Sequence, residues 1–337
     1  MKPLNIMVLF DTAGTPPENQ DFTEELKTEE WATEANVINA LKNLGHTVSI
    51  VGAYDDINVI IHGIRKYKPD LVFNLMEHFN GRSEYDRNIP ALLELMGVRY
   101  TGANPTTFMM CGNKSLAKQL LVHHHVRTPH FFLARYKKAF SRPKHLQFPL
   151  LVKPVRTDAS YGISQASFVE NDEEMQTRIQ FVHDTFNQGA LVEEYATGRE
   201  LYVSILGQKK LLVMPVRELC FEEVPEGEPK IATYRAKWDE DYRKKWGIKN
   251  RFANPIAAEA MDKIIKTCKR AYQVLQIQSY ARIDLRLTPE NEVIILEVNP
   301  NPFLADGEDF AESAKKSGMS YEDLIQKIAN IGMNMEV

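Results

Sequence analysis

The chain has 337 residues, 44% of them hydrophobic and 26% charged, enough for two or three domains of roughly 100 to 200 residues. That excludes a chain disordered throughout. Forty-one basic against forty-five acidic residues leave a net charge of -4, so no general field favours nucleic acid or an anionic membrane, and neither partner is expected. The three cysteines, Cys111, Cys220 and Cys268, are odd in number and far apart, which leaves neither a disulfide framework nor a Cys-x-x-Cys zinc site and suits a reducing compartment. The first apolar run meets Asp11 too soon for a signal-peptide core, and nowhere do about 18 apolar residues run together as a membrane span requires. A cytoplasmic, soluble protein is expected.

In chain order, Leu4 to Phe10 is a short apolar run of the kind found in a parallel strand covered on both faces. A polar loop with Gly14, Pro16 and Pro17 follows. Val37, Ile38, Leu41 and Leu44 recur at helical spacing from Trp31 onward, Gly45 stops that helix, and His46 to Val51 resumes as a strand. Pro69 to Leu75 reads as another strand and Ile89 to Met96 as a helix ending at Gly97. These units predict an α/β amino-terminal domain over residues 1–112. Asp11-Thr12-Ala13-Gly14 lacks the G-x-G-x-x-G pattern of a dinucleotide site. Cys111-Gly112-Asn113-Lys114-Ser115 is not a Walker loop either, because its lysine does not follow a glycine. A nucleotide would have to be held in another way.

Asn113 is the expected N-cap of a helix running to about His124, which puts Lys114 in the first turn. A cation there opposes the helix dipole unless an anion occupies the site. Ser115-Leu116-Ala117-Lys118 matches an S-x-x-K pattern only by chance, and the adjacent His123, His124 and His125 fan around a helix end and do not converge on a metal. Phe148 to Pro154 predicts a strand that ends on Lys153, and a loop of small and polar residues, Arg156 to Gly162, leads to a second strand over Ile163 to Val169. Backbone amides of such a loop can cap phosphates. Leu191 to Glu200 runs from a buried strand through a glycine turn into another strand, a connection that could offer main-chain groups to a purine edge while Glu200 stays free for ribose hydroxyls.

Near the carboxyl end, Arg282, Asp284 and Arg286 share one face of a strand, with Ala281, Ile283, Leu285 and Leu287 on the other. In Val293 to Asn299 the period of two puts Glu297 and Asn299 on one face and Ile294, Leu296 and Val298 on the opposite one, and Thr288 to Glu292 makes the turn. A register that sets Glu297 across from Asp284 would bring two carboxylates and an amide onto one surface. Two close carboxylates need a cation between them, and all-oxygen ligands suit Mg²⁺ that takes its remaining oxygens from phosphates and water.

As an ordered set, Leu92 to Gly102, Val152-Lys153-Pro154, Val192-Glu193-Glu194 with Gly198-Arg199-Glu200, Ala281-Arg282-Ile283-Asp284 and Leu296 to Pro302 resemble the ATP-grasp superfamily, within it the D-alanyl-D-alanine ligase branch, over nearly the whole chain. The resemblance implies an α/β ATP-grasp fold of three domains: residues 1–112, a central part over 113–196 and a carboxyl-terminal part over 197–337, with ATP between the last two. It implies Lys114 and Lys153 on the ATP phosphates with Ser160 in the loop above them, Glu193 and the backbone near Tyr195 and Ala196 on adenine, and Glu200 on the ribose. Asp284, Glu297 and Asn299 match the magnesium ligands, two ions being expected with manganese as an alternative. Arg282 matches the cation beside the tetrahedral oxyanion. Thr233 to Glu240 resembles the mobile loop, with Lys237 closing over the γ-phosphate. The implied reaction makes an acyl phosphate from a carboxylate, which an amine then attacks to give an amide, ADP and phosphate. A homodimer is expected by family analogy.

The departures bear on the substrates. The family's glycine-serine-serine loop and lysine-tyrosine pair correspond here to Asp158-Ala159-Ser160 and Lys237-Trp238, and Phe303 stands where the family has a glycine before the acceptor-binding serine. The loop Asn80 to Asp86 diverges as well. A site that loses polar partners and gains bulk should reject D-alanine as acceptor, so the expectation is a carboxylate-amine ligase with another substrate pair. An ATP-binding module that senses or scaffolds without ligating, and a phosphotransferase that stops at the phosphorylated product, are the alternatives.

Overall fold

The computed structural model describes residues 2–17, 20–157 and 159–335. The first apolar run becomes β1 (Asn5–Asp11), followed by α1 (Ala32–Asn43), β2 (Thr47–Ala53), α2 (Ile57–Tyr67) and β3 (Leu71–Asn74). The three strands form a parallel sheet in the order β2-β1-β3. As the central strand, β1 buries both faces: Ile6, Val8 and Phe10 enter one core and Met7 and Leu9 another, all five fully enclosed. Each such side chain contributes about 1.5–3 kcal/mol, which is why a continuous apolar run replaces the alternation of a half-exposed strand. Two helices, α3 (Asn88–Leu95) and α4 (Pro105–Cys111), then lead out of this layer.

Next come α5 (Lys114–His123), β4 (Phe131–Ala134), β5 (Leu150–Pro154), β6 (Phe168–Val169), α6 (Asp172–Phe186) and β7 (Ala190–Glu194). Asn113 caps α5 by accepting from the Leu116 amide at 3.2 Å, as its position before the apolar residues implies. The strands make an antiparallel sheet in the order β4-β7-β5-β6, with Met175, Ile179 and Val182 of α6 packed beneath it. The strand expected over Ile163 to Val169 is reduced to Phe168 and Val169. Ser164 and Ser167 form a reciprocal capping box around a short 3-10 turn, which takes that stretch away from the sheet.

The third sheet contains β8 (Arg199–Leu206), β9 (Leu212–Val213), β10 (Arg217–Phe221), β11 (Ile248–Phe252), β12 (Tyr280–Leu287) and β13 (Val293–Pro300). All pairings are antiparallel, in the order β11-β10-β8-β12-β13 with β9 on β8. One face packs on α5 and on the long helix α9 (Ala258–Val274), through Ala117, Leu121, Ile264, Cys268 and Tyr272. On the other face, two short helices, α7 (Tyr234–Trp238) and α8 (Glu240–Lys245), close over Tyr202, Leu219 and Ile248.

The hairpin register is the expected one at its centre, where Asp284 pairs with Glu297. Between that pair and Leu285–Ile295 the register shifts, leaving Leu296 as an extra residue. This bulge corrects the expected face assignment. Val293, Ile295 and Val298 enter the core, whereas strict alternation had put Ile294 and Leu296 with Val298. The chain closes with α10 (Asp309–Lys316) and α11 (Tyr321–Met333), which return to the first sheet. There Phe310, Leu324, Ile325 and Ile328 share one core with Ile6, Val8 and Phe10. A buried ion pair, Arg217 Nε to Asp309 Oδ1 at 2.9 Å, ties the start of α10 to β10.

Candidate active site

A cleft of about 1190 Å³ opens between these layers, lined among others by Lys237, Trp238, Arg282, Glu297, Asn299 and Phe303. Single-ligand pockets span roughly 300–1,000 Å³, so there is room for more than one small molecule. Strand pairing builds the wall. Asp284 sits opposite Glu297 and Arg282 opposite Asn299, because all four project from the same side of adjacent strands. The Asn299 amide donates to Asp284 Oδ2 at 3.2 Å, while Arg282 grips the same carboxylate with Nε at 2.8 Å and a terminal nitrogen at 3.1 Å. The Arg282 guanidinium also lies over the Tyr202 ring, 4.9 Å from its centroid. Burial works against its charge, but Asp284 outweighs it and holds Arg282 more firmly protonated than usual.

Beneath the wall lie the lysines of α5 and β5. Lys114 Nζ is 2.6 Å from Glu297 Oε1 and donates to the Thr157 carbonyl at 2.8 Å. Burial opposes ionisation of Glu297, yet Lys114 and Lys153 carry its pKa down to about 2. Lys153 Nζ lies 2.6 Å from Glu193 Oε1, and Lys118 Nζ lies 3.0 Å from Glu193 Oε2. Lys118 was not among the expected site residues. Its signal was available: it lies four residues after Lys114 on one helix, hence on the same face.

The residues read for adenine and ribose form a second cluster. The Glu193 carboxylate is enclosed with the two lysines, so any purine contact there falls to main-chain groups. The Tyr195 amide is already bonded to the Pro149 carbonyl at 3.0 Å, whereas the Ala196 amide makes no hydrogen bond among the described residues. Glu200 is not free, as the sequence had suggested. It pairs with Arg286 at 2.7 Å and accepts from the Tyr202 hydroxyl at 3.2 Å. Arg286 links this cluster together, lying 5.7 Å from the Tyr195 ring centroid and donating to the Gly198 carbonyl at 2.8 Å.

Over the cleft, the loop after β5 is latched to the segment around α7. Ser160 Oγ donates to the Ala232 carbonyl at 2.8 Å, the Tyr234 amide to the Ile163 carbonyl at 3.0 Å, and Trp238 Nε1 to the Ala159 carbonyl at 3.1 Å. The hydroxyls missing from this loop pair are thus partly replaced by an indole N–H. Asp158, the first residue of the divergent triplet, lies outside the described residues. Thr233 caps α7 by accepting from the Ala236 amide, which aims Lys237 into the cleft. The Lys237 ammonium makes no hydrogen bond or ion pair among the described residues. Burial and then the Arg282 charge push its pKa down, against the pull of Asp284, Glu297 and Glu200. Such a lysine gains when an anion arrives.

Residues 122–330, well over half the chain, match the family model for the D-ala D-ala ligase C-terminus. The chain belongs to the D-alanine–D-alanine ligase family. This ligase is 29% identical to the uncharacterized protein y4sG of Sinorhizobium fredii over 88% of its own length and 86% of that protein's. It is 28% identical to a D-alanine–D-alanine ligase of Pseudothermotoga lettingae, covering 87% and 90% of the two chains. The solved D-alanine–D-alanine ligase of Bacillus anthracis complexed with ATP superposes with a TM-score of 0.74 over 98% of this chain and 97% of that one, at 18% identity. The fold is accordingly the expected α/β ATP-grasp. The family makes the protein an ATP-dependent carbon–nitrogen ligase that uses a divalent metal, which sets aside a purely sensing or scaffolding module.

The donors of this ligase fit such a metal. Asp284, Glu297 and Asn299 supply hard oxygens on one surface, and in the structure the two carboxylates are neutralised by Arg282 and Lys114. Among the described residues no group of three or more His, Cys, Asp or Glu side chains is placed to hold an ion, so phosphate oxygens and water would complete the shell. No helix among them is long and apolar enough to cross a membrane.

Proposed function

We propose that this ligase phosphorylates a carboxylate and condenses the resulting acyl phosphate with an amine, using a substrate pair other than two D-alanines. The observation that carries the reading is the convergence on one cleft of Glu297, Asn299, Arg282 and Lys237, the last unpaired among the described residues, with Asp284 bonded to Arg282 and Asn299 beside it. A carboxylate is a poor electrophile until its oxygen becomes a leaving group, and phosphorylation provides one. The obstacle is then charge, since two anions must meet. Lys114, Lys153 and Lys237 would gather the triphosphate, with ATP lying between the four-stranded sheet and the β8–β13 sheet. Asp284, Glu297 and Asn299 would hold magnesium, as two ions or replaced by manganese, which would supply positive charge to offset that of the phosphates. Arg282, already locked by Asp284 and so fixed in direction, would stabilise the oxyanion formed when the amine attacks. The latched loops would exclude water from the acyl phosphate.

The case for other substrates rests on Trp238 and Phe303, whose rings meet edge to face at 6.0 Å on the cleft wall. Phe303 fills space that the family leaves to a glycine, and neither ring offers a partner for a substrate carboxylate. The test is ADP release across panels of carboxylates and amines, with mass measurement of the condensed product. The reading predicts free phosphate only when an amine is present. ADP release with no pair, or D-alanine alone working as well as any other, would overturn it.

A further inference from the structure

We propose that Lys118 is a positioning residue that balances the charge of Glu193, so that Lys153 keeps its own charge for the nucleotide phosphates. This rests on the reading of Lys153 as a phosphate lysine. Glu193 is enclosed, 2% exposed, and its two oxygens face different lysines: Lys153 at 2.6 Å and Lys118 at 3.0 Å. With Lys153 alone the pair would sum to zero, and a desolvated ion pair at that distance has little charge to offer a third group. Lys118 adds one positive charge, leaving the three-group cluster with a net +1.

Lys118 cannot itself serve as that free cation. Its side chain is 3% exposed, and its ammonium also donates to the Leu296 carbonyl at 2.9 Å, at the bulge just before Glu297. That carbonyl belongs to the extra residue of the strand irregularity, and the lysine is held between α5, β7 and β13. Burial pushes its pKa down to about 8 against the attraction of Glu193, while burial of Glu193 is outweighed by the two lysines, which keep it ionised. The three groups are therefore mutually dependent.

A purely structural lysine and a charge-balancing one differ in whether a second substitution repairs the loss. In Lys118→Met the cluster loses its surplus, and in Lys118→Met with Glu193→Gln the surplus returns. Calorimetric binding of ADP with magnesium, and of adenosine alone, to the full chain decides the matter. Lys118→Met should weaken ADP about tenfold, the loss expected for one charge-assisted contact, and leave adenosine unchanged. The double variant should recover ADP affinity to within about threefold of the parent. Unchanged ADP affinity in Lys118→Met, or a loss that the double variant does not recover, overturns the proposal. If Lys118→Met does not fold, Glu193→Gln alone decides: it should bind ADP at least as tightly as the parent, and weaker binding overturns the assignment. A parent that binds no ADP would refute the nucleotide site itself, a different outcome.

Discussion

Replacing Trp238 by Phe tests whether the two loops over the cleft act as a latch. The substitution keeps an aromatic ring beside Phe303 and removes the Nε1 hydrogen bond to the Ala159 carbonyl together with part of the indole's bulk. A net intramolecular hydrogen bond is worth about 0.5–1.5 kcal/mol. Trp238 is 48% exposed, so water can replace part of the lost contact and the lower half of that range applies. A loss of about 0.5–1 kcal/mol multiplies the open population roughly two- to fivefold. Ser160 is the stricter comparison, being 9% exposed with its hydroxyl bonded to the Ala232 carbonyl. Ser160→Ala should fall in the upper half of the range, about 1–1.5 kcal/mol, or roughly five- to tenfold. Because both contacts hold one lid, the double variant should depart from additivity. The assay is dissociation of a fluorescent ATP analogue in stopped flow, which needs no knowledge of the acceptor. Off-rates equal to the parent's in both variants would refute the latch.

Three further outcomes follow from the same geometry. Asp309→Asn breaks a buried pair that also accepts from the Asn250 amide at 2.7 Å; unfolding in denaturant should show a loss of about 3–5 kcal/mol. Lys237 has a pKa lowered by burial and Arg282, so below its ordinary lysine value part of the free protein carries a neutral amine. Phosphate restores the charge, so nucleotide binding takes up protons and weakens as pH rises through that window. Calorimetry in buffers of different ionisation enthalpy should show the uptake in the parent and a smaller one in Lys237→Met. Phe303→Gly reopens the space beside Trp238, and D-alanine-dependent ADP release should rise at least about tenfold; an unchanged rate would free Phe303 of any part in acceptor choice.

Much of the architecture was legible because local physics and global fold agree in this chain. The run from Ile6 to Phe10 is apolar throughout because both faces of β1 are covered, and Asn113 before an apolar-periodic stretch marks a capped helix. Alternation in the last hairpin put Arg282, Asp284, Glu297 and Asn299 on one face, whereas the Asp284–Glu297 register was only a condition, met through the extra residue at Leu296 and not by the turn alone. What escaped reading depends on partners distant in sequence. Lys118 looks like any helical lysine until Glu193 and the Leu296 carbonyl, 75 and 178 positions away in the chain, arrive beside it. Glu200 looked available until Arg286 was seen to hold it.

The order of residue types along the chain determined which strands and helices form, which faces they bury and which side chains can bear charge toward a common surface, because those choices are made by neighbours within a few positions. Only the tertiary structure decided how the charges are divided. Burial strips away the water that would otherwise satisfy each lysine and carboxylate singly, so Lys114 must find Glu297, and Glu193 must be shared by Lys118 and Lys153. The single extra residue at Leu296 belongs to the same class, since only pairing against β12 reveals that the alternation breaks there.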